Sequence, residues 1–174
     1  EAAQVVEQLR EAGLSKIVMM TGDSDRTAKA IAKRVGVDEY YSEVLPEDKA
    51  NFVEREKQAG RKVIMIGDGI NDSPALSAAD VGIAISEGAE IAREVADITV
   101  GADDLKEIVK LKRLSDALMQ RIRRNYRIIV GFNTGLIVCG VTGVLPPTTS
   151  ALLHNTSTLV IGLQSMKNLL DESE

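Results

Sequence analysis

Gly67-Asp68-Gly69-Ile70-Asn71-Asp72 follows the apolar run Val63-Ile64-Met65-Ile66, which sets two carboxylates one helical turn apart at the mouth of a buried strand. Magnesium prefers hard oxygen ligands, which Asp68 and Asp72 offer, and Gly67 and Gly69 let the backbone approach a phosphate closely. The plain alternative for such a string is an ordinary turn between a strand and a helix. Two segments upstream, Thr21-Gly22-Asp23 and Pro46-Glu47-Asp48-Lys49, stand in the order that phosphoryl chemistry needs. A phosphoryl group in transfer carries charge on three oxygens, and a hydroxyl, backbone N–H donors, a fixed ammonium and a magnesium ion stabilise it. Thr21 supplies the hydroxyl, Lys49 the ammonium and Asp68 the metal ligand. Taken singly, Thr21 would read as a helix-capping turn and Lys49 as a solvated helix residue. Together they point to a phosphoryl site.

Such residues need strand ends to hold them. Hydrophobic periodicity predicts helix 2–12, strand 16–20, helix 24–35, an extended piece at 40–44, helix 47–59, strand 62–66, helix 72–78, strand 80–85, helix 88–95 and strand 97–100. This alternation implies an α/β fold, a parallel sheet with helices on both faces. The site then lies at the carboxyl ends of strands 16–20 and 62–66, where open α/β sheets bind ligands. Gly13 and Gly60 close their helices as C-terminal caps would. From Lys106 to Arg127, the residues Ile108, Leu111, Leu114, Leu118 and Ile122 recur at helical spacing and mark one amphipathic helix.

Beyond Arg127 the next charge is Lys167, a gap of 39 residues. Residues 128–145 are 18 without a charge, about 27 Å of helix and just enough to cross a hydrocarbon core. Pro146-Pro147 breaks the run and a second one returns from Ser150 to Met166, so a two-helix transmembrane hairpin is expected. The basic cluster before it and Lys167 after it put both ends on the cytoplasmic side. A buried soluble hairpin is the alternative. The expected organisation is an α/β domain over 1–103, a helix over 104–127, a hairpin over 128–170 with spans at about 128–145 and 149–166, and a tail over 171–174.

Asn133 and Thr134 fall near the middle of the first run, and His154-Asn155-Thr156-Ser157-Thr158 form a polar patch in the second. Polar groups at that depth are costly unless partnered and often line a transport path. The lone histidine can ligate a borderline transition metal, while Thr156, Thr158 and Asn133 suit harder ions. Cys139 could be a soft ligand. Ordinary interhelical hydrogen bonding, and simple packing of the thiol, are the alternatives.

Composition bounds the rest. The overall charge is −5; residues from Arg121 onward carry five basic and three acidic side chains, a net of +2, which leaves −7 for residues 1–120. No concentrated basic face is available there for a nucleic-acid partner. A single cysteine allows no internal disulfide, and no Cys-x-x-Cys pair is present.

Thr21-Gly22-Asp23, the Pro46-to-Lys49 segment and Gly-Asp-Gly-Ile-Asn-Asp-Ser-Pro-Ala-Leu at 67–76 closely resemble the phosphorylation domain of P-type ATPases, of the haloacid-dehalogenase superfamily. The resemblance continues through Ala79-Asp80-Val81-Gly82-Ile83-Ala84 and Ala96-Asp97-Ile98. With two spans' worth of sequence remaining, the chain looks most like the heavy-metal-transporting branch. The resemblance implies a Rossmann-like parallel sheet, incomplete here, followed by a stalk helix and the last two spans.

By the same resemblance, Thr21 and Gly22 hold the transferred phosphoryl group, with Asp23 as the motif's acid. Lys49 neutralises that group, Asp68 ligates magnesium, and Asn71 and Asp72 complete the site, Asp72 by positioning Lys49 or a metal-bound water. The family's nucleophile, in an Asp-Lys-Thr-Gly-Thr motif, has no match here; Asp48 is followed by Lys49-Ala50, and Asp97 reads as the end of a late strand. The chain is therefore expected to be the carboxy-terminal portion of a larger ATP-driven transporter, inactive alone, that uses Mg2+ and ATP and exports a divalent heavy metal. It would sit in a bacterial plasma membrane with the phosphorylation domain in the cytoplasm and the rest of the pump as its partner. Arg124 departs from the metal branch, which often has glutamine there. His154-Asn155-Thr156-Ser157-Thr158 is nearest to the His-containing variant associated with cobalt, iron or related ions. A soluble phosphatase of the superfamily and a non-catalytic membrane partner of a pump are the rival readings.

Overall fold

The computed structural model describes residues 1–67, 70–85, 94–100 and 105–169. They belong to two compact units, Glu1–Lys110 and Leu111–Glu174.

The first unit runs α1 (Ala2–Glu11), β1 (Val18–Met20), α2 (Asp25–Val35), β2 (Glu39–Tyr41), α3 (Pro46–Gln58), β3 (Ile64–Gly67), a 3-10 turn (Ile70–Asp72), α4 (Ser73–Ala78), β4 (Val81–Ile85) and β5 (Ile98–Val100). Every ladder is parallel, as the alternation predicts. β1 pairs with β2, in register Val18 to Glu39, and β3, β4 and β5 form a second sheet in that order. Its core is Val53 of α3, Met65 of β3, Ala75 and Leu76 of α4 and Ala84 of β4, with Met20 packed against them. β4 runs so close to α4 that a Cβ on Gly82 would lie 2.7 Å from the Leu76 carbonyl oxygen. Only glycine fits. Gly13 and Gly60, at φ 95° and 81°, follow α1 and α3 in the left-handed conformation expected of terminating glycines.

Three aspartates tie the strands together at their entries. Each stands just before one strand and accepts the N–H of a residue at the start of the neighbouring one. Asp38 takes Ile17 at 2.7 Å, Asp80 takes Val63 at 3.0 Å and Asp97 takes Gly82 at 2.8 Å. This is why β1 and β3 begin two residues later than predicted: Ile17 and Val63 bond to carboxylates rather than to a ladder. It also corrects the reading of Asp97, which opens β5 rather than ending a strand. The Ile17 N–H, with Arg10 adding, holds the Asp38 carboxyl below the usual carboxylate range. The Val63 N–H, with Lys62 adding, does the same for Asp80. The extended piece predicted at 40–44 stops at Tyr41, because Glu43 adopts a left-handed φ of 54°. Helix 88–95, apart from Glu94 and Val95, falls outside the described residues.

In the second unit, the amphipathic helix continues without a break into the uncharged run, so α5 spans Lys106–Val141, having begun in the first unit. A turn with Gly143 at φ 75° and Pro146 leads to α6, Pro147–Ser165. The uncharged part of α5 is thus 14 residues, 128–141, about 21 Å of helix. α6 has 19 residues but carries the 154–158 polar patch. Among the described residues, no helix is long and apolar enough to cross a membrane. The hairpin forms; the two spans expected at 128–145 and 149–166 do not meet that criterion.

Polar groups lie between these helices. Arg121 donates to the carbonyls of Ser165, Lys167 and Asn168, Asn125 donates to Ser165 Oγ at 2.7 Å, and Asn133 meets His154. Residues 121, 125 and 133 share one helix face. Large apolar side chains such as Ile128, Phe132, Ile137, Leu152, Leu159 and Leu163 are exposed, and Leu136 is the one buried among the described residues of this unit.

Candidate phosphoryl-transfer site

Lys49 lies in the first turn of α3, which starts on Pro46 at its first helical position. There proline's missing N–H costs nothing and its fixed φ suits the helix. Asp72 closes the 3-10 turn after β3. Lys49 Nζ donates to Asp72 Oδ1 at 2.7 Å, with the two side chains only 14% and 11% exposed. A buried ion pair of this kind is sensitive to loss of either partner, which would leave an uncompensated charge. A Cβ on Gly67 would come within 2.6 Å of Asp72 Cβ and 2.8 Å of Oδ2. Gly67 therefore lets Asp72 fold back over the strand end.

Thr21 and Asp23 form a second pair. The Thr21 hydroxyl donates to Asp23 Oδ2 at 3.0 Å and accepts from the Asp23 N–H at 3.1 Å. The Glu43 N–H donates to the Asp23 carbonyl and the Val44 N–H to the Thr21 carbonyl, which ties the turn to the strip leading into Leu45 and α3. Nothing lies within 4 Å of where a Gly22 side chain would begin, so that face of the turn is open.

Five of the six catalytic candidates thus resolve into two half-sites. Thr21, Gly22 and Asp23 form one, Lys49 and Asp72 the other, with no hydrogen bond between the two among the described residues. Asn71 is exposed and makes no side-chain hydrogen bond within that set. Asp68 and Gly69 lie outside the described residues, so Asp68 as a magnesium ligand is an expectation only. The described donor set fits magnesium in kind. Asp72 Oδ2 accepts no hydrogen bond from a described residue, and Ser73 Oγ is buried without a partner among them. Both are hard oxygens. Ser73 was not singled out from the sequence; its only signal there is a hydroxyl directly after the second carboxylate of the motif. No group of three or more His, Cys, Asp or Glu side chains suited to a metal occurs among the described residues.

Of the five candidates in the helical unit, the structure joins two. His154 Nδ1 and Asn133 Oδ1 are 2.8 Å apart, and with oxygen as the acceptor the proton sits on Nδ1. Thr158 donates to the His154 carbonyl in its own helix at 3.0 Å. Thr156 is exposed without a side-chain hydrogen bond among the described residues, and Cys139 is a half-buried free thiol.

Comparison with known proteins bears on family and fold. Residues 1–80 match the haloacid dehalogenase-like hydrolase family. Over 168 residues the chain is 40% identical to a manganese-exporting P-type ATPase of Mycobacterium leprae, covering 96% of this chain and 23% of that protein. Over 151 residues it is 46% identical to a copper-transporting P-type ATPase of Rhizobium leguminosarum bv. viciae, covering 87% of this chain and 18% of that protein. A zinc-transporting PIB-type ATPase crystallised in the E2.Pi state superposes with a TM-score of 0.89 at 33% identity, over 97% of this chain and 27% of that one. The chain spans about a quarter of the length of these proteins or less.

Proposed function

Because this chain carries a haloacid-dehalogenase-like domain homologous to that of heavy-metal P-type ATPases, we propose that it is the carboxy-terminal part of an ATP-driven exporter of a transition-metal cation. The observation that carries this reading is the buried Lys49–Asp72 pair at the carboxyl end of β3, with the Thr21–Asp23 turn at the end of β1.

In the intact pump, ATP bound by a domain outside this chain phosphorylates an aspartate that is also outside it. The Thr21 hydroxyl, released from Asp23, and the backbone N–H groups around Gly22 donate to the phosphoryl oxygens. The Lys49 ammonium, held in place by Asp72, neutralises charge that grows in transfer and again in hydrolysis. Asp68 and Asp72, completed by Asn71, would hold Mg2+, which supplies a Lewis-acidic charge on the phosphoryl oxygens. Without the nucleophile the chain alone neither forms a phosphoenzyme nor pumps.

The helical unit supplies the membrane part in this reading. Large apolar side chains such as Ile137 and Leu159 are exposed while Arg121, Asn125 and Asn133 make hydrogen bonds between the helices, contacts that a hydrocarbon solvent favours. Neighbouring spans of the pump would complete the bundle around α5 and α6. Between them, His154 Nε2 takes no part in hydrogen bonding among the described residues. With Nδ1 held by Asn133, it is the ligand we assign to the exported metal. The relatives' manganese, copper and zinc leave the identity of that metal to experiment.

The coding frame upstream of Glu1 tests the placement. An open frame with Asp-Lys-Thr-Gly-Thr and earlier apolar spans is expected; a start codon close by without that motif would overturn it. Metal-stimulated ATP hydrolysis by the full-length protein, run across divalent and monovalent transition ions, then identifies the cargo.

A further inference from the structure

At the arginine end of the helical pair lies a crevice of about 720 Å³, lined by Arg121, Arg123, Arg124, Arg127, Ile128 and Leu169 among others. Arg121 is committed: its guanidinium donates to the carbonyls of Ser165, Lys167 and Asn168, which close the end of α6. Arg123, Arg124 and Arg127 are exposed, and none has a hydrogen bond or ion pair among the described residues. Among the described residues, no carboxylate lines the crevice. Three guanidinium groups within five residues repel one another, and the chemistry that relieves them is an anion with several oxygens, phosphate above all.

The surroundings say what should carry that phosphate. Ile128 and Leu169 form an apolar rim, and the exposed Phe132, one turn beyond Ile128 on the same face of α5, extends it. Tyr126, 66% exposed beside the arginines, has the character of a residue at the boundary between water and lipid. A free phosphate or a nucleotide would use the cations and leave the apolar rim idle.

We propose that this crevice binds the headgroup phosphate of an anionic phospholipid, its acyl chains running along Ile128 and Phe132. The proposal rests on the membrane reading of the helical unit. Basic pockets between helices at a membrane surface are suited to such headgroups.

The test uses the full-length protein with Arg123→Gln, Arg124→Gln and Arg127→Gln combined, leaving Arg121 in place. Flotation with phosphatidylcholine vesicles, with and without phosphatidylglycerol, is measured beside retention of short-chain phosphatidylglycerol in detergent. The expected result is flotation of both proteins with neutral vesicles, with the triple variant binding the anionic lipid roughly 100-fold more weakly than the parent. Equal retention of the lipid by parent and variant overturns the proposal while the membrane reading stands. Displacement of the lipid by equimolar inorganic phosphate assigns the site to free phosphate and overturns the lipid. Failure to float with either vesicle removes the membrane reading, and this proposal with it.

Discussion

The two units of this chain solve burial in opposite ways. In residues 1–110, Val53, Met65, Leu76 and Ile83 are inside, and the Lys49–Asp72 pair is placed over that core. In residues 111–174, isoleucines, leucines and valines are outside while Arg121, Asn125, Asn133 and His154 make the contacts between helices. The first pattern is that of a domain folded by water's rejection of apolar surface. The second leaves large apolar side chains uncovered within this unit, which is why the proposed function gives them a covering outside it. One chain thus carries a polar site set on an apolar core and, in its other unit, polar contacts between helices whose large apolar side chains are exposed.

Breaking the first pattern should have the largest effect. Lys49→Ala in the full-length protein leaves Asp72 buried and unpaired. Loss of one oxyanion donor costs about 100- to 1000-fold in rate, and stability should fall by about 3–5 kcal/mol. Denaturant unfolding of the variant checks the second number, and restored stability in Lys49→Ala with Asp72→Ala would show that the orphaned charge is the cause. Next comes Gly67→Ala. Its Cβ would collide with Asp72 at 2.6 Å, so a loss of about 1–3 kcal/mol is expected from overpacking, read from the same unfolding curves. An unchanged midpoint would show that the strand end yields freely.

Sharpening the second pattern involves smaller energies. His154→Ala should remove metal-stimulated turnover yet leave phosphorylation by inorganic phosphate intact, at a stability cost of only about 0.6–2 kcal/mol for one interhelical hydrogen bond. A metal dependence unchanged from the parent returns His154 to a structural role. The smallest effect belongs to the strand clamps. Asp38 and Asp80 have depressed pKa values in the folded state. Their contribution is therefore present above the ordinary aspartate value, about 3.9, and is lost as pH falls through the lower folded value. Asp80→Asn should flatten the acid limb of a stability profile below pH 4, and an identical acid limb would show that Asp80 carries none of it.

Much of this organisation can be read from residue pattern, because local signals and tertiary structure agree. Strand and helix alternate as the hydrophobic periods predict and Gly13 and Gly60 end their helices, whereas the contact of Lys49 with Asp72, 23 residues away and 2.7 Å long, was implied only by the family resemblance. Illegible features were those that depend on a partner distant in sequence. No local signal distinguishes Asp38, Asp80 and Asp97 as clamps from ordinary turn aspartates, since each is defined by an N–H about 15–21 residues upstream. Charge spacing alone also could not foresee that α5 would run on through Arg127 and stop at Val141, four residues short of the uncharged run's end. Gly143 and the turn before Pro146 decide that stop. The pairing of His154 with Asn133 was equally illegible, because the two stand 21 residues apart on different helices.

Acid-stable phosphoenzyme formed from labelled ATP by the full-length protein, compared between the parent and Asp68→Asn, tests the central claim most directly. The account predicts strong, metal-dependent labelling in the parent and none in the variant. Normal labelling of Asp68→Asn would contradict the magnesium and phosphate site assigned to residues 67–72.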